Sequence, residues 1–129
     1  MCRVTCNGCF DRLHPGHLFY LGFCRAQGDE LVVGINSDRY IREKKGCEPI
    51  PVSERKDALM SFGFIKAVAE FDEDDPTEFI RNWMPDVHCT GMEYAWTCAE
   101  RKVCDEIGVK LVFVPRIGKW SSSMMREME

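Results

Sequence analysis

The apolar and polar positions of this chain alternate between short continuous apolar runs and longer periodic ones, with a loop at nearly every change. Residues 30–35 (ELVVGI) form the clearest continuous run. A run without polar alternation marks a central parallel strand covered on both faces. Shorter runs over residues 3–6, 67–71, 87–90 and 110–114 predict four more strands. Between them, helices are predicted over residues 16–26, 39–43, 53–62, 76–83 and 95–107, with a last short helix after the serines at 121–123. Leu18, Leu21, Phe23 and Cys24 cover much of the circumference of the first helix, which predicts that it is well buried.

The punctuation agrees with this order. Asn36, Ser37 and Asp38 supply N-cap chemistry for the second helix, Ser53 caps the third with Glu54 in its first turn, Pro76 is a good first helical residue, and Gly108 is a good stop. Residues 44–52 hold Lys44, Lys45, Gly46, Pro49 and Pro51, and read as a mobile loop with a basic root. Strand and helix alternate throughout, so the expected fold class is α/β: a single Rossmann-like doubly wound domain over residues 1–129 with a five-stranded parallel sheet. In such sheets a ligand lies beyond the C-terminal strand ends, at the switch in strand order. Residues 7–17, 36–45, 91–94 and 115–123 are therefore the loops that matter.

Composition narrows the class of partner. The chain has 129 residues, 45% hydrophobic and 29% charged, with a net charge of −4. That balance argues against nucleic acid as a partner. No apolar run approaches the roughly 20 residues of a membrane span, and a cytoplasmic protein without a membrane partner is expected. Eight cysteines invite a disulfide reading, but without an export signal they read as reduced, small buried residues. Cys6 and Cys9 have CxxC spacing without a second pair, and His88 is isolated, so no metal site is assigned.

The chemistry concentrates in residues 7–17, NGCFDRLHPGH. A loop entering a helix N-terminus presents unpaired N–H groups and the positive end of the helix dipole, which suits phosphate. His14 and His17, three apart, reach one anion if both lie on the first turn. Gly8 permits close backbone approach and Phe10 supplies an apolar wall. Lys44, Lys45, Arg116 and Lys119 add positive charge, and Ser121, Ser122 and Ser123 add hydroxyls at a further helix start. This is a polyphosphate site built from separate loops, with neither GxxxxGK[ST] nor GxGxxG. Each residue has a plainer reading: the lysines as a solvated charge pair, Arg55 as a cap or a partner of a nearby carboxylate, residues 72–75 as a solvated acidic turn.

GCFDRLHPGH resembles the GxFDxxHxGH signature of the HxGH nucleotidylyltransferases, the family that includes glycerol-3-phosphate cytidylyltransferase and the adenylyltransferase domain of ADP-heptose synthase. GDELVVGINSD, the following KKG, SER at 53–55, and a terminal PR followed by SSS extend the resemblance. NGCFD, NSD, FDEDDP and PDV look most like the ADP-heptose synthase domain.

The resemblance implies an enzyme that transfers a nucleotidyl group from ATP or CTP to a small phosphorylated sugar or polyol. Heptose 1-phosphate with ATP comes first, and glycerol 3-phosphate with CTP next. It implies Mg²⁺ with the triphosphate, and a homodimer. His14, His17, Lys44 and Arg116 would be catalytic. Gly8, Cys9, Phe10, Gly16, Gly91, Glu93, Arg116 and Ser121, Ser122 and Ser123 would join the histidines in binding nucleotide, and Asp11, Lys44, Lys45 and Arg55 would bind the acceptor. Lys119 and Trp120, where the family usually has a glycine before the serines, and Met92 are departures. A nucleotide-binding module without catalysis is the competing reading from another class, and a class I aminoacyl-tRNA synthetase fragment ranks last.

Overall fold

A computed structural model describes residues 1–72, 76–91 and 100–115. Ten elements among the described residues alternate as the sequence predicts: β1 (Arg3–Gly8), α1 (Pro15–Arg25), β2 (Glu30–Asn36), α2 (Asp38–Lys45), α3 (Val52–Met60), β3 (Ala67–Phe71), α4 (Thr77–Trp83), β4 (Val87–Gly91), α5 (Glu100–Ile107) and β5 (Lys110–Val114). The five strands pair in parallel in the order β3-β2-β1-β4-β5. The chain winds outward one way from β1 through β2 to β3, then crosses back to β4 and β5. The switch in strand order therefore lies between β1 and β4.

Both faces of the sheet are covered. On one face Val4, Cys6, Leu31, Val33, Ile35 and Cys89 pack with Leu21 and Cys24 of α1 and Leu59 of α3. On the other, Val32 and Phe71 pack with Phe79 and Ile80 of α4 and Val103 and Cys104 of α5. Alternate residues of β2 thus enter different cores, which is why its sequence shows no polar alternation. The described cysteines are all free thiols.

Several boundaries move, for identifiable reasons. Helix α1 turns only part of its surface inward: Leu21 and Cys24 are buried, whereas Leu18 and Phe19 are exposed. Helix α2 runs on through Lys44 and Lys45 and is ended by Gly46, whose φ of 68° suits glycine. Ser53 does not cap α3. The helix starts at Val52, whose N–H is satisfied from a distance by Asp38 Oδ2 at 3.3 Å. Pro76 stands one residue earlier than expected, at the N-cap of α4.

The segment between α2 and α3 is pinned rather than loose. Arg42 holds Glu48 through both carboxylate oxygens, Pro49 is buried, and the Ile50 N–H donates to Asp11 Oδ1 at 2.8 Å.

The turn after α1 sets how closely the chain returns to β1. A Cβ on Gly28 would lie 2.7 Å from Val4 Cγ2 and 2.8 Å from the Cys2 carbonyl oxygen. One of these is backbone and cannot swing away. Gly28→Ala is therefore expected to cost about 1–3 kcal/mol in urea denaturation. Gly22→Ala, within α1 where a Cβ meets open space, should instead stabilise by about 0.5–1 kcal/mol.

Candidate active site

The first loop leaves β1 through Gly8 and folds tightly on itself. Phe10 has a φ of 47° and is buried, its ring beneath Gly8, where a Cβ would come within 2.9 Å of it. A bulky residue at positive φ is strained, and such strain persists only where the surroundings hold it. The ring's neighbours are His17 and Tyr20, with centroids at 5.4 and 6.4 Å. Phe10 is thus a floor beneath an imidazole, and Tyr20 anchors that floor by donating from its hydroxyl to the Cys89 carbonyl at 3.3 Å.

His14 is the N-cap of α1 and His17 occupies the third helical position. The Gly16 N–H donates to His14 Nδ1 at 3.1 Å, and the His14 N–H donates to His17 Nδ1 at 3.3 Å. The rings stack with centroids 4.0 Å apart. These bonds fix the chemistry. Each Nδ1 is an acceptor, so each neutral ring carries its proton on Nε2. The N–H groups of His17 and Leu18 both reach the His14 carbonyl, and Pro15 has none. The backbone N–H groups at this helix start are therefore already satisfied by His14, rather than open as the sequence suggests, and each imidazole keeps its proton on Nε2. Burial lowers the pKa of His14, and burial with positive charge from His14 and Lys45 lowers that of His17 to about 4.

The Lys45 charge that acts on His17 belongs to the end of α2. Lys44 and Lys45 are exposed on the last turn of that helix. Behind them, Arg55 is 2% exposed. Its Nε donates to the Ile50 carbonyl at 2.8 Å, its Nη1 to the carbonyls of Cys9 at 2.9 Å and Asn36 at 2.8 Å, and its Nη2 to Asp38 Oδ1 at 2.6 Å. Of the two readings of Arg55, the partner of a nearby carboxylate is the one realised, and the contacts describe a clamp among loops rather than a hand held out to substrate. Asp11, also buried, is engaged with Ile50 in the same junction. Cys9 Sγ donates to Asn36 Oδ1 at 3.4 Å.

Asn36 and Asp38 carry this junction, and the sequence reading credited them only with capping. The cap is real, since Ser37 Oγ accepts from the Tyr40 N–H at 3.1 Å. Nothing local in the sequence signals their role at the junction, because it depends on Arg55 being buried, 17 residues beyond Asp38 along the chain. Gly91 closes β4 on the far side of the switch, opposite Val114. Glu93, Arg116, Lys119, Ser121, Ser122 and Ser123 lie outside the described residues, as do Met92, Trp120 and the last predicted helix. Asp72 accepts from Arg39 in a bidentate pair and from Ser37 Oγ. Among the described residues no group of three or more His, Cys, Asp or Glu side chains could hold a metal ion. A groove of about 660 Å³ along α4 and β3, lined by Ser37, Phe71, Phe79 and Trp83, contains none of the expected site residues.

A parallel doubly wound sheet with paired, helix-capping imidazoles at the end of its first strand defines the class: a nucleotidyltransferase-type α/β domain. The chain belongs to the cytidylyltransferase-like family, which matches residues 5–128. It is 45% identical over 94 residues to the bifunctional protein HldE of Campylobacter curvus, an alignment covering 70% of this chain and 20% of that protein. With HldE of Streptomyces coelicolor the identity is 38% over 125 residues, 95% of this chain and 27% of the relative. The chain thus spans about a fifth to a quarter of the length of these curated relatives. Among solved structures, a lipopolysaccharide core biosynthesis protein from Thermoplasma volcanium superposes with a TM-score of 0.71 at 29% identity, covering 94% of this chain and 99% of the other. Pantothenate synthetase from Thermus thermophilus shares the fold, with a TM-score of 0.63 at 14% identity over 96% of this chain and 64% of that one.

Removing the Arg55 fork should unfasten three loops at once. Arg55→Met is expected to cost about 3–5 kcal/mol by urea denaturation. Arg55→Lys should recover only part of that, because one ammonium cannot span four acceptors.

The buried imidazoles also set a pH response. His88, fully buried, is held down to about 3 by burial, and His17 to about 4. Unfolded, both would protonate near 6.5. The unfolded chain binds the extra protons, so stability is fully present above pH 6.5 and declines as pH falls from there toward 3. Urea midpoints at pH 7, 6 and 5 should fall in that order, and the slope should flatten in His88→Leu.

Proposed function

We propose that this domain transfers a nucleoside monophosphate from a nucleoside triphosphate to a small phosphorylated sugar, with heptose 1-phosphate and ATP as the pair. The stacked His14 and His17, each with Nδ1 spent on the helix end, carry the reading. Two preset Nε2–H donors at a switch point suit a triphosphate. Support for the sugar comes from HldE-like relatives at 38–47% identity and from the Thermoplasma protein's description. The second pair is CTP with glycerol 3-phosphate, the nucleotide being the one that the name of the cytidylyltransferase-like family supports.

In this reaction an acceptor phosphate oxygen attacks the α-phosphorus. The bond from that phosphorus to the bridging oxygen breaks, and pyrophosphate leaves with the electron pair. The nucleophile is already anionic, so neither a serine or cysteine nucleophile nor a strong base is needed. Catalysis reduces to positioning and charge stabilisation.

His14 and His17 donate to the triphosphate and to the charge that gathers on its oxygens. Lys44, assisted by Lys45, holds the acceptor phosphate. Gly8, Cys9, Phe10 and Gly16 shape the nucleotide cradle, with Gly91 and Glu93 toward base and ribose. Arg116 and Ser121, Ser122 and Ser123 grip the phosphates. Asp11 and Arg55 act on the acceptor side by fixing the loop that faces it. Mg²⁺ would arrive with the triphosphate, taking most ligands from phosphate and water and neutralising the leaving pyrophosphate. A cytoplasmic homodimer belongs to the same proposal.

The test is a pyrophosphate-release screen crossing ATP, CTP, GTP and UTP with phosphorylated sugars and polyols. Turnover highest with ATP and heptose 1-phosphate is expected. Nucleotide binding by calorimetry with no release from any pair would favour a binding module instead. His14→Ala and His17→Ala should each lower turnover by about 10²–10³-fold with circular dichroism unchanged. Near-normal turnover in both would sink the mechanism.

A further inference from the structure

The two central strands carry different chemistry on their two faces. Toward α1 they present Val4, Cys6, Val87 and Cys89, which join the apolar core. On the other face Thr5 and His88 sit side by side in register, both fully buried, with Asn7 one step further along β1. Thr5 Oγ1 lies 2.7 Å from His88 Nδ1, and His88 Nε2 lies 3.1 Å from Asn7 Oδ1. A leucine at position 88 would fill this place without a polar group to satisfy. A buried imidazole is tolerable only because both ring nitrogens are bonded.

The bonds have a direction. Asn7 Oδ1 is an acceptor only, so Nε2 carries the proton and donates to it, and Nδ1 accepts from the Thr5 hydroxyl. The Asn7 amide is thereby held with its oxygen toward the ring and its nitrogen away. Asn7 is half-buried, the penultimate residue of β1, at the switch between β1 and β4, and Nδ2 has no partner among the described residues. We propose that His88 is a positioning residue that locks Asn7 as an N–H donor to an acceptor atom of the bound nucleotide. This rests on the nucleotidyl-transfer reading for its ligand. The relay itself is a property of the fold.

Calorimetry with ATP and with inorganic tripolyphosphate on the whole chain tests the ligand side. Asn7→Leu should weaken ATP about tenfold, the effect of one lost hydrogen bond. His88→Leu should weaken it about three- to tenfold, with kcat within twofold. In the double variant His88→Leu should add less than twofold, because its route runs through Asn7. Equal weakening of tripolyphosphate puts the acceptor atom on the phosphates, and weakening of ATP alone puts it on the nucleoside. An ATP affinity unchanged by His88→Leu, or full additivity in the double variant, would overturn the proposal.

Wild-type nitrogen NMR of the His88 ring supplies a check that needs no variant. A neutral Nε2–H tautomer between pH 6 and 8 is expected, whereas Nδ1–H would mean a turned amide and would also overturn it. Thr5→Val, which removes only the hydroxyl, should weaken ATP in the same direction even if His88→Leu folds poorly. A wild type that neither binds ATP nor releases pyrophosphate would remove the functional reading and this ligand with it, while the NMR result would still decide the relay.

Discussion

The Arg55 guanidinium is the constraint on which the site's geometry depends. Buried at 2% exposure, it gathers the carbonyls of Cys9, Asn36 and Ile50 and the carboxylate of Asp38 around one planar cation. Those four groups come from the loop after β1, the end of β2, the start of α2 and the segment before α3. None of these carbonyls belongs to a helix interior, and each would otherwise need water or another donor. A single fork satisfies them together and sets the distance between the histidine loop and the helix that carries Lys44 and Lys45. The cost of burying the charge is offset by an ion pair with Asp38 and by neutral hydrogen bonds that use the fork's geometry.

From that clamp the rest follows in layers. The first loop is free to take up the strained turn at Phe10 because Cys9 is tied on one side and Asp11 on the other. The turn puts the Phe10 ring under His17, and the ring positions an imidazole that already closes the end of α1. Here the helix start is not an empty anion site. It is a start closed by a stacked pair of imidazoles, each with Nδ1 spent on a backbone N–H and its proton on Nε2.

The fold was legible because it is written in composition over many residues. The unbroken ELVVGI run could only be a doubly covered strand, and β2 does feed both cores. Element order needed no more than that and the caps. The site was legible where its chemistry sits in one contiguous stretch, as with His14 and His17, and illegible where it depends on side chains meeting across the fold. Nothing local marks Asp38 as the group that caps α3 fourteen residues later, or Arg55 as a clamp rather than a phosphate ligand. His88 looks isolated in sequence because its partners, Thr5 and Asn7, are more than 80 residues away.

The depressed pKa values suit the proposed reaction in a way that charged histidines would not. Two imidazolium rings stacked at 4.0 Å beside Lys45 would repel one another in the empty site and strain the helix start they cap. Neutral rings avoid that cost and still donate through Nε2. A second proton could add only at Nδ1, where it would break the bonds from the Gly16 and His14 N–H groups, so the rings stay neutral Nε2–H donors when a triphosphate enters. The interaction then strengthens as charge moves onto the phosphate oxygens during displacement. A group whose attraction grows along the reaction lowers the barrier, where a permanently charged one would bind substrate and transition state more nearly alike. The same burial that makes the empty domain acid-sensitive is thus what keeps the histidines neutral donors.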